Sequence, residues 1–336
     1  MSDYIFYPGC SMESSAKAYY DSVMSVCEAL DIQLNEINDW NCCGATEYLS
    51  LERMPAYALI ARNLALAEKQ ANGSKTVVAP CSACYLNLAK ADHYMHEDKA
   101  FGKNINEALA AGGLHYTPGK LAVRHLLDVV LNDIGLEAVK AKVVKPLTGL
   151  RVVPYIGCML PRPDYGDRYS DTENPTELDD LLRALGAEVV DFPLRTACCG
   201  GHMTQIGPST AFELIRRLVS TAADQYKADV MVAVCPMCQM NLDAFQGQMN
   251  GYFKTDYHMP ILFFTQLMGI AFGADAKELG FGSEFVSARA AMSRIGVQTP
   301  EPPADAPAKK KPAGLPMPPP LVKAGPTADQ SKEAGK

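Results

Sequence analysis

"SKTVVAPCSACYLNL", residues 74–88, and "ADVMVAVCPMCQMNL", residues 228–242, share a form: a short apolar run, then C-x2-C-x2-N-L. A brief valine-rich run bounded by turn signals reads as a strand buried on both faces, here ending at the two cysteines. Working outward, "DYIFYPGC" at 3–10 and "LRVVPYIGC" at 150–158 read as strands that enter a Gly-Cys turn. Between them stand "NCCGA" at 41–45 and "ACCGG" at 197–201. Helical spacing of three and four marks residues 14–30, 51–70, 176–186 and 209–227, each followed by a strand-like run. Strand and helix in alternation predict an α/β fold, with a small parallel sheet and flanking helices built once per half. In such sheets ligands gather beyond the carboxyl ends of the strands, and there the cysteines sit.

Equivalent cysteines recur roughly 150 positions apart, far longer than a solenoid period, so the chain is a duplicated domain. The expected limits are 1–147 and 148–298. From 299 the sequence turns to Pro, Ala and Lys, holds ten of the 23 prolines and no aromatic residue, and is expected to be a disordered tail over 299–336. Lys309, Lys310 and Lys311 read there as a solvated charge run.

With 336 residues, 48% hydrophobic and 21% charged, the composition is that of a soluble globular protein. No run approaches the ~20 apolar residues of a membrane-spanning helix. The start "MSDYIFYPGC" lacks the basic residues and long apolar core of a secretory signal, so a cytoplasmic location is expected. A net charge of -7 argues against a partner bound through backbone phosphates and sets nucleic acid aside.

Eleven cysteines in such a chain point to metal or redox chemistry rather than to a disulfide framework. Ten fall into two sets of five: Cys10, Cys42, Cys43, Cys81 and Cys84, then Cys158, Cys198, Cys199, Cys235 and Cys238. Cys27, in "SVMSVCEAL", lies outside the repeat and reads as core. Adjacent side chains of an extended chain point apart, so two vicinal thiols meet at one site only where the backbone turns sharply, which Gly44 and Gly200 permit. Packing of the vicinal cysteines as small hydrophobes would have to recur by coincidence in both halves. Structural zinc takes four ligands and leaves one thiolate over in each half. An iron-sulfur cluster suits so many soft donors, with zinc and a thiol-only relay as the other readings.

The doubled order Cys, Cys-Cys-Gly, Cys-x-x-Cys, with "WNCCGA" at 40–45 and "FTQLMG" at 264–269, resembles the two CCG domains of the heterodisulfide reductase B-subunit family and its bacterial relatives. The resemblance spans roughly residues 1–298. It implies two noncubane 4Fe-4S clusters, each held by one set of five cysteines, with the substrate disulfide between them. It also implies an electron-donating iron-sulfur partner of the C-subunit type and a flavin-containing partner of the A-subunit type. The family's best-known thiols are coenzyme M and coenzyme B; other thiol or sulfane carriers are the alternative substrates. A non-catalytic electron-transfer role is the alternative function.

Apart from the resemblance, a disulfide needs two electrons, and no G-x-G-x-x-G dinucleotide fingerprint follows a strand. "GLHYTPGK" at 113–120 departs from a phosphate loop in spacing and in Leu121. Only Cys27 is left for any further cluster, so electrons are expected from a partner. His202, close after "CCGG", is the candidate proton donor, and His125 in "VRHLLD", expected on a helix, is a weaker one. Trp40 is expected to pack around the first site.

Overall fold

A computed structural model describes residues 2–45, 48–165 and 169–297. The expected tail lies outside the described residues. Two four-stranded sheets are present, and every paired neighbour is parallel. The first contains β1 (Ser2–Phe6), β2 (Ile32–Glu36), β3 (Thr76–Ala79) and β4 (Ala122–His125) in the order β2-β1-β3-β4. The second repeats it with β5 (Arg151–Tyr155), β6 (Glu188–Val189), β7 (Val230–Ala233) and β8 (Ile261–Phe263) in the order β6-β5-β7-β8. All four residues of β7 are buried, as are the last three of β3, because helices cover both faces of a parallel sheet.

The order of the strands explains where the cysteines collect. The chain leaves β1 toward β2 on one side and β3 toward β4 on the other, so the crevice beyond the carboxyl ends of β1 and β3 is the topological switch point. Cys10 follows β1 and Cys81 follows β3; Cys158 and Cys235 follow β5 and β7 in the same way. Each C-x2-C then opens a helix, Ser82–Glu97 or Pro236–Ala244, with Cys81 and Cys235 as the N-cap residues. The free N–H groups and positive dipole end at that first turn favour thiolate sulfur.

Three of the expected helices are close to their limits, at Lys17–Ala29, Arg53–Gln70 and Glu177–Ala184. The fourth, Pro208–Ser220, continues as a π-helical turn over Thr221–Gln225. One assignment is corrected. Val123, Arg124 and His125 of "VRHLLD" lie in β4, and His125 is the N-cap of the helical turn Leu126–Val129, where its Nδ1 accepts the Leu127 N–H at 3.1 Å.

Both sheets fall within one compact unit. Helix Lys17–Ala29 of the first half packs on helix Phe264–Phe272 of the second, and Ser22 and Thr265 share a buried 2.7 Å hydrogen bond between them. The Tyr19 ring stacks on Phe263 at 4.1 Å with 4° between planes. The halves therefore share a core in which polar groups are paired rather than excluded. No helix among the described residues is long and apolar enough to cross a membrane.

Candidate metal centre

The fold brings all ten repeated cysteines together, and none is in a disulfide. In the first half Cys10 Sγ stands 3.5 Å from Cys42 Sγ, and Cys43 Sγ stands 3.2 Å from Cys84 Sγ. In the second, Cys199 Sγ stands 3.4 Å from Cys238 Sγ. Cys81 and Cys235, one from each half, meet at 3.9 Å. The sulfurs thus form two groups that touch at their inner members. Burial is graded the same way: Cys10, Cys42 and Cys198 are exposed, whereas Cys81, Cys84, Cys235 and Cys238 are buried. Cys27 is buried in its helix, where burial alone pushes its thiol up to about 12.

Glycine makes the close approaches feasible. At Gly9 φ is +76°, and a Cβ there would stand 2.8 Å from Cys84 Sγ; its counterpart Gly157 has the same φ and would meet Cys238 Sγ at 3.4 Å. A side chain at Gly9 would displace the sulfur, and at either position it would strain the turn. The vicinal pairs turn as required, with φ of +64° at Gly44 and +93° at Gly200. In the second half the turned backbone offers N–H groups to sulfur, from Gly200 to Cys198 at 3.4 Å and from Gly201 to Cys199 at 3.3 Å. Hydrogen bonds of this kind stabilise thiolate and tune a bound cluster.

Two further pairs of repeated residues hold these turns, and a reading confined to sulfur passes over them. Tyr7 donates to the carbonyl of Asn41 at 2.7 Å, and Tyr155 donates to that of Ala197 at 2.6 Å, each just before a vicinal pair. Asn87 donates to the Cys43 carbonyl at 3.0 Å, and Asn241 to the Cys199 carbonyl at 2.6 Å. The signal is present in the sequence: the tyrosine of Y-x-G-C and the asparagine of C-x2-C-x2-N both occur twice. Burial holds Tyr7 and Tyr155 far above the ordinary phenol range, so both remain donors. Trp40 packs edge-on to Tyr7 at 5.4 Å and donates to Glu36, which braces the same loop.

The charge distribution repeats at the outer cysteines and the vicinal pairs. The hydrogen bond from Cys10, then that from Cys43, lowers Cys42 to about 2; Cys158, then Cys199, does the same to Cys198. Cys43 and Cys199 are pushed up to about 12, chiefly by the vicinal neighbour each serves as donor. In each vicinal pair, therefore, the first thiol is favoured as thiolate over the second. At the contact between the groups, hydrogen bonds from Cys238 and Cys81 lower Cys235 well below the usual thiol range, while Cys81 is pushed up, and gathering further thiolates there calls for compensating cations.

A cavity of about 270 Å³ is lined by the first sulfur group together with Pro236, Met237 and Met240 of the second half. Another of about 260 Å³ is lined by the second group together with Ser82 of the first. Gly201, His202 and Met237 line both. His202 reaches across the halves, its Nε2–H donating to the Ala45 carbonyl at 2.7 Å. His125 is 1% exposed, and burial lowers it to about 4, so it stays neutral within the core. A larger groove of about 570 Å³, lined by Met54, Leu59 and Leu114, contains no cysteine.

Among the described residues no three His, Cys, Asp or Glu side chains converge as ligands of a single metal ion. The fit to an iron-sulfur cluster rests instead on the donors: five soft sulfurs per half, close together, backed by N–H donors and flanked by apolar side chains.

The cysteine-rich domain family, CCG, matches residues 4–89 and again residues 152–243. The 8-methylmenaquinol:fumarate reductase membrane anchor subunit of Wolinella succinogenes is 35% identical, over 85% of this chain and 98% of its own. A heterodisulfide reductase B-subunit-like protein of Archaeoglobus profundus is 30% identical, over 83% of this chain and 93% of its own. The B subunit of a ferredoxin/F420H2-dependent CoB-CoM heterodisulfide reductase from Methanosarcina acetivorans is 28% identical, over 82% and 90%. A Helicobacter pylori protein described as hypothetical, known from a crystal structure, shares the fold with a TM-score of 0.67 at 15% identity. The match covers 85% of this chain and about half, 52%, of that one. With both halves matched and its relatives aligned over nearly their whole length, the chain belongs to the CCG cysteine-rich domain family and is similar over most of its length to the heterodisulfide reductase B subunits.

Proposed function

We propose that this chain is the iron-sulfur component of a heterodisulfide reductase-like complex, and that a disulfide of two small thiols is reduced, or formed in reverse, between its two sulfur groups. The observation that carries this reading is the meeting of the groups at Cys81 and Cys235, 3.9 Å apart, with a cavity on either side. Cys10, Cys42, Cys43, Cys81 and Cys84 would hold one 4Fe-4S cluster, and Cys158, Cys198, Cys199, Cys235 and Cys238 the other, of the noncubane type that five ligands suggest. When bound, such clusters supply single electrons, and a pair supplies the two that a disulfide requires.

The chain's own residues would do the rest. Met237 and Met240 offer polarizable, adaptable surface to a sulfur substrate. With the Nε2–H engaged by Ala45, Nδ1 of His202 is the ring atom left to take up a proton from solvent and relay it to a product thiolate. The two copies are taken as domains over 1–147 and 148–298. Electrons would enter from a C-like iron-sulfur protein linked to a flavin-containing A-like protein. Other thiol or sulfane carriers are the alternative substrates.

A second reading follows from the Wolinella relative, which is named as an anchor component of a fumarate reductase rather than as a disulfide enzyme. On that reading the sulfur groups serve electron transfer to another protein, and no disulfide turns over.

Anaerobically purified protein is expected to hold about eight irons per chain with matching acid-labile sulfide, and to reduce a disulfide with an artificial donor. Zinc without iron would sink both readings, whereas full iron content without turnover would leave only the second. Cys43→Ser and Cys199→Ser are each expected to lower iron by about half, and Cys27→Ser to leave it unchanged. Equal iron loss on changing Cys27 would overturn the ligand assignment.

A further inference from the structure

The carbonyls of Pro80 and Val234 immediately precede Cys81 and Cys235, the thiols that meet across the halves. Both carbonyls are served from one side of the duplication. Tyr19 Oη lies 3.1 Å from the Pro80 carbonyl and 3.3 Å from that of Val234. His125 Nε2 lies 3.2 Å from the Val234 carbonyl. Because His125 Nδ1 accepts from Leu127, the ring proton is on Nε2, and His125 is a donor to Val234. Tyr19 has a single hydroxyl proton, so with Val234 served by His125 it is free to serve Pro80. The two donors thus match the two carbonyls.

This arrangement is not duplicated. Ala79 pairs with His125 in the first sheet as Ala233 pairs with Phe263 in the second, so Phe263 is the counterpart of His125, and it stacks on Tyr19. Tyr19 is 0% and His125 1% exposed, where water cannot replace a lost hydrogen bond. Apolar residues would fill the same core volume. What the polar pair adds is a fixed distance between the ends of β3 and β7.

We propose that Tyr19 and His125 are positioning residues that set the separation of Cys81 and Cys235, and through it the spacing of the two sulfur groups. The inference deepens the proposed function and rests on the reading that both groups hold clusters and act together. Neither residue takes part in the chemistry; each acts through the strand end it holds. Two redox centres feel one another's charge according to their separation, so the gap between their reduction midpoints reports this spacing.

The test uses the full chain, purified anaerobically. Tyr19→Phe keeps the ring on Phe263 and removes only the hydroxyl; His125→Phe copies the second half; His125→Gln restores a donor. Iron content is measured alongside a reductive titration followed by electron paramagnetic resonance, and dibromobimane bridging of Cys81 to Cys235 is mapped by peptide mass spectrometry. Tyr19→Phe and His125→Phe are expected to keep wild-type iron, to change the gap between the two midpoints, and to lower the yield of the Cys81–Cys235 bridge several-fold in chelator-treated protein. His125→Gln is expected to recover most of both. Unchanged midpoints and bridging in both Phe variants would overturn the inference. So would equal loss of iron from both halves in Tyr19→Phe, which would mark a general folding role. If wild-type protein held no iron, the proposed function would fail by itself, and the bridging yield alone would decide the positioning role.

Discussion

Replacing Cys84 with serine, and separately Cys238, is expected to remove nearly all disulfide turnover while each variant keeps the iron of its untouched half. Cys84 Sγ contacts Cys43 Sγ at 3.2 Å, and Cys238 Sγ contacts Cys199 Sγ at 3.4 Å, so each substitution takes an inner sulfur from one group only. Serine supplies a harder, shorter donor at a position where a facing glycine leaves room for sulfur. Opening a disulfide to two thiols consumes two electrons. One intact group can pass one of them and would leave the cleavage half finished. The losses should therefore be non-additive, with either single variant falling more than about tenfold and the double variant little further, as for residues that act as a unit. Turnover with an artificial donor, normalised to iron content, is the measurement. If either variant retained half the wild-type rate, the sulfur groups would be independent sites and the shared-substrate mechanism would be lost.

That expectation draws on what the sequence discloses and on what it does not. TVVA and VMVA are legible as central strands because parallel sheets bury both faces and leave near-continuous apolar runs. The cysteines sort into two equivalent groups because duplication reproduces position, neighbours and glycine alike. β4 and β8 are hidden for a physical reason: they have four and three residues, and each runs directly into a helical turn whose periodicity dominates the window. The same signal reads His125 as helical, although it is the cap of a helix.

Docking of the halves is a different kind of information. A repeat states that Cys81 and Cys235 are equivalent; it does not state that equivalents touch. Their contact depends on Lys17–Ala29 packing against Phe264–Phe272 and on Tyr19 lying over Phe263, which pairs residues far apart in the chain. His202 shows the same limit. Proximity in sequence ties it to Cys199, whereas its hydrogen bond is to Ala45 in the other half.

Arg195 is silent in the sequence and is expected to be a large single contributor to stability. It is 2% exposed, and its guanidinium donates to Asp179 Oδ1 at 2.9 Å, to Asp191 at 2.6 Å, and to the carbonyls of Phe192 and Pro175. Its own carbonyl accepts the N–H groups of Ile156 and Gly157, so it joins the turn of Cys158 to the segment leading into Cys198. Arg195→Met fills the volume but leaves Asp179, 1% exposed, with only the half-exposed Arg183 guanidinium, 3.8 Å away, as a cation. Breaking a buried pair from one side costs about 3–5 kcal/mol. The sign of the pH dependence follows from Asp179. Burial, opposed by Arg195, already raises its carboxyl to about 6, and its Oδ2 lacks a hydrogen-bond partner. A carboxyl raised above its unfolded value of ~3.9 contributes stability that is present below that value and is lost as pH rises through the folded one. Without the arginine the folded value moves higher still, so the loss extends further up the pH scale. Denaturant titration of the two proteins should therefore show a larger deficit at pH 8 than at pH 5. A deficit that did not depend on pH would mean that the guanidinium acts through Asp191 and the Phe192 and Pro175 carbonyls, and that Asp179 is not the charge it holds.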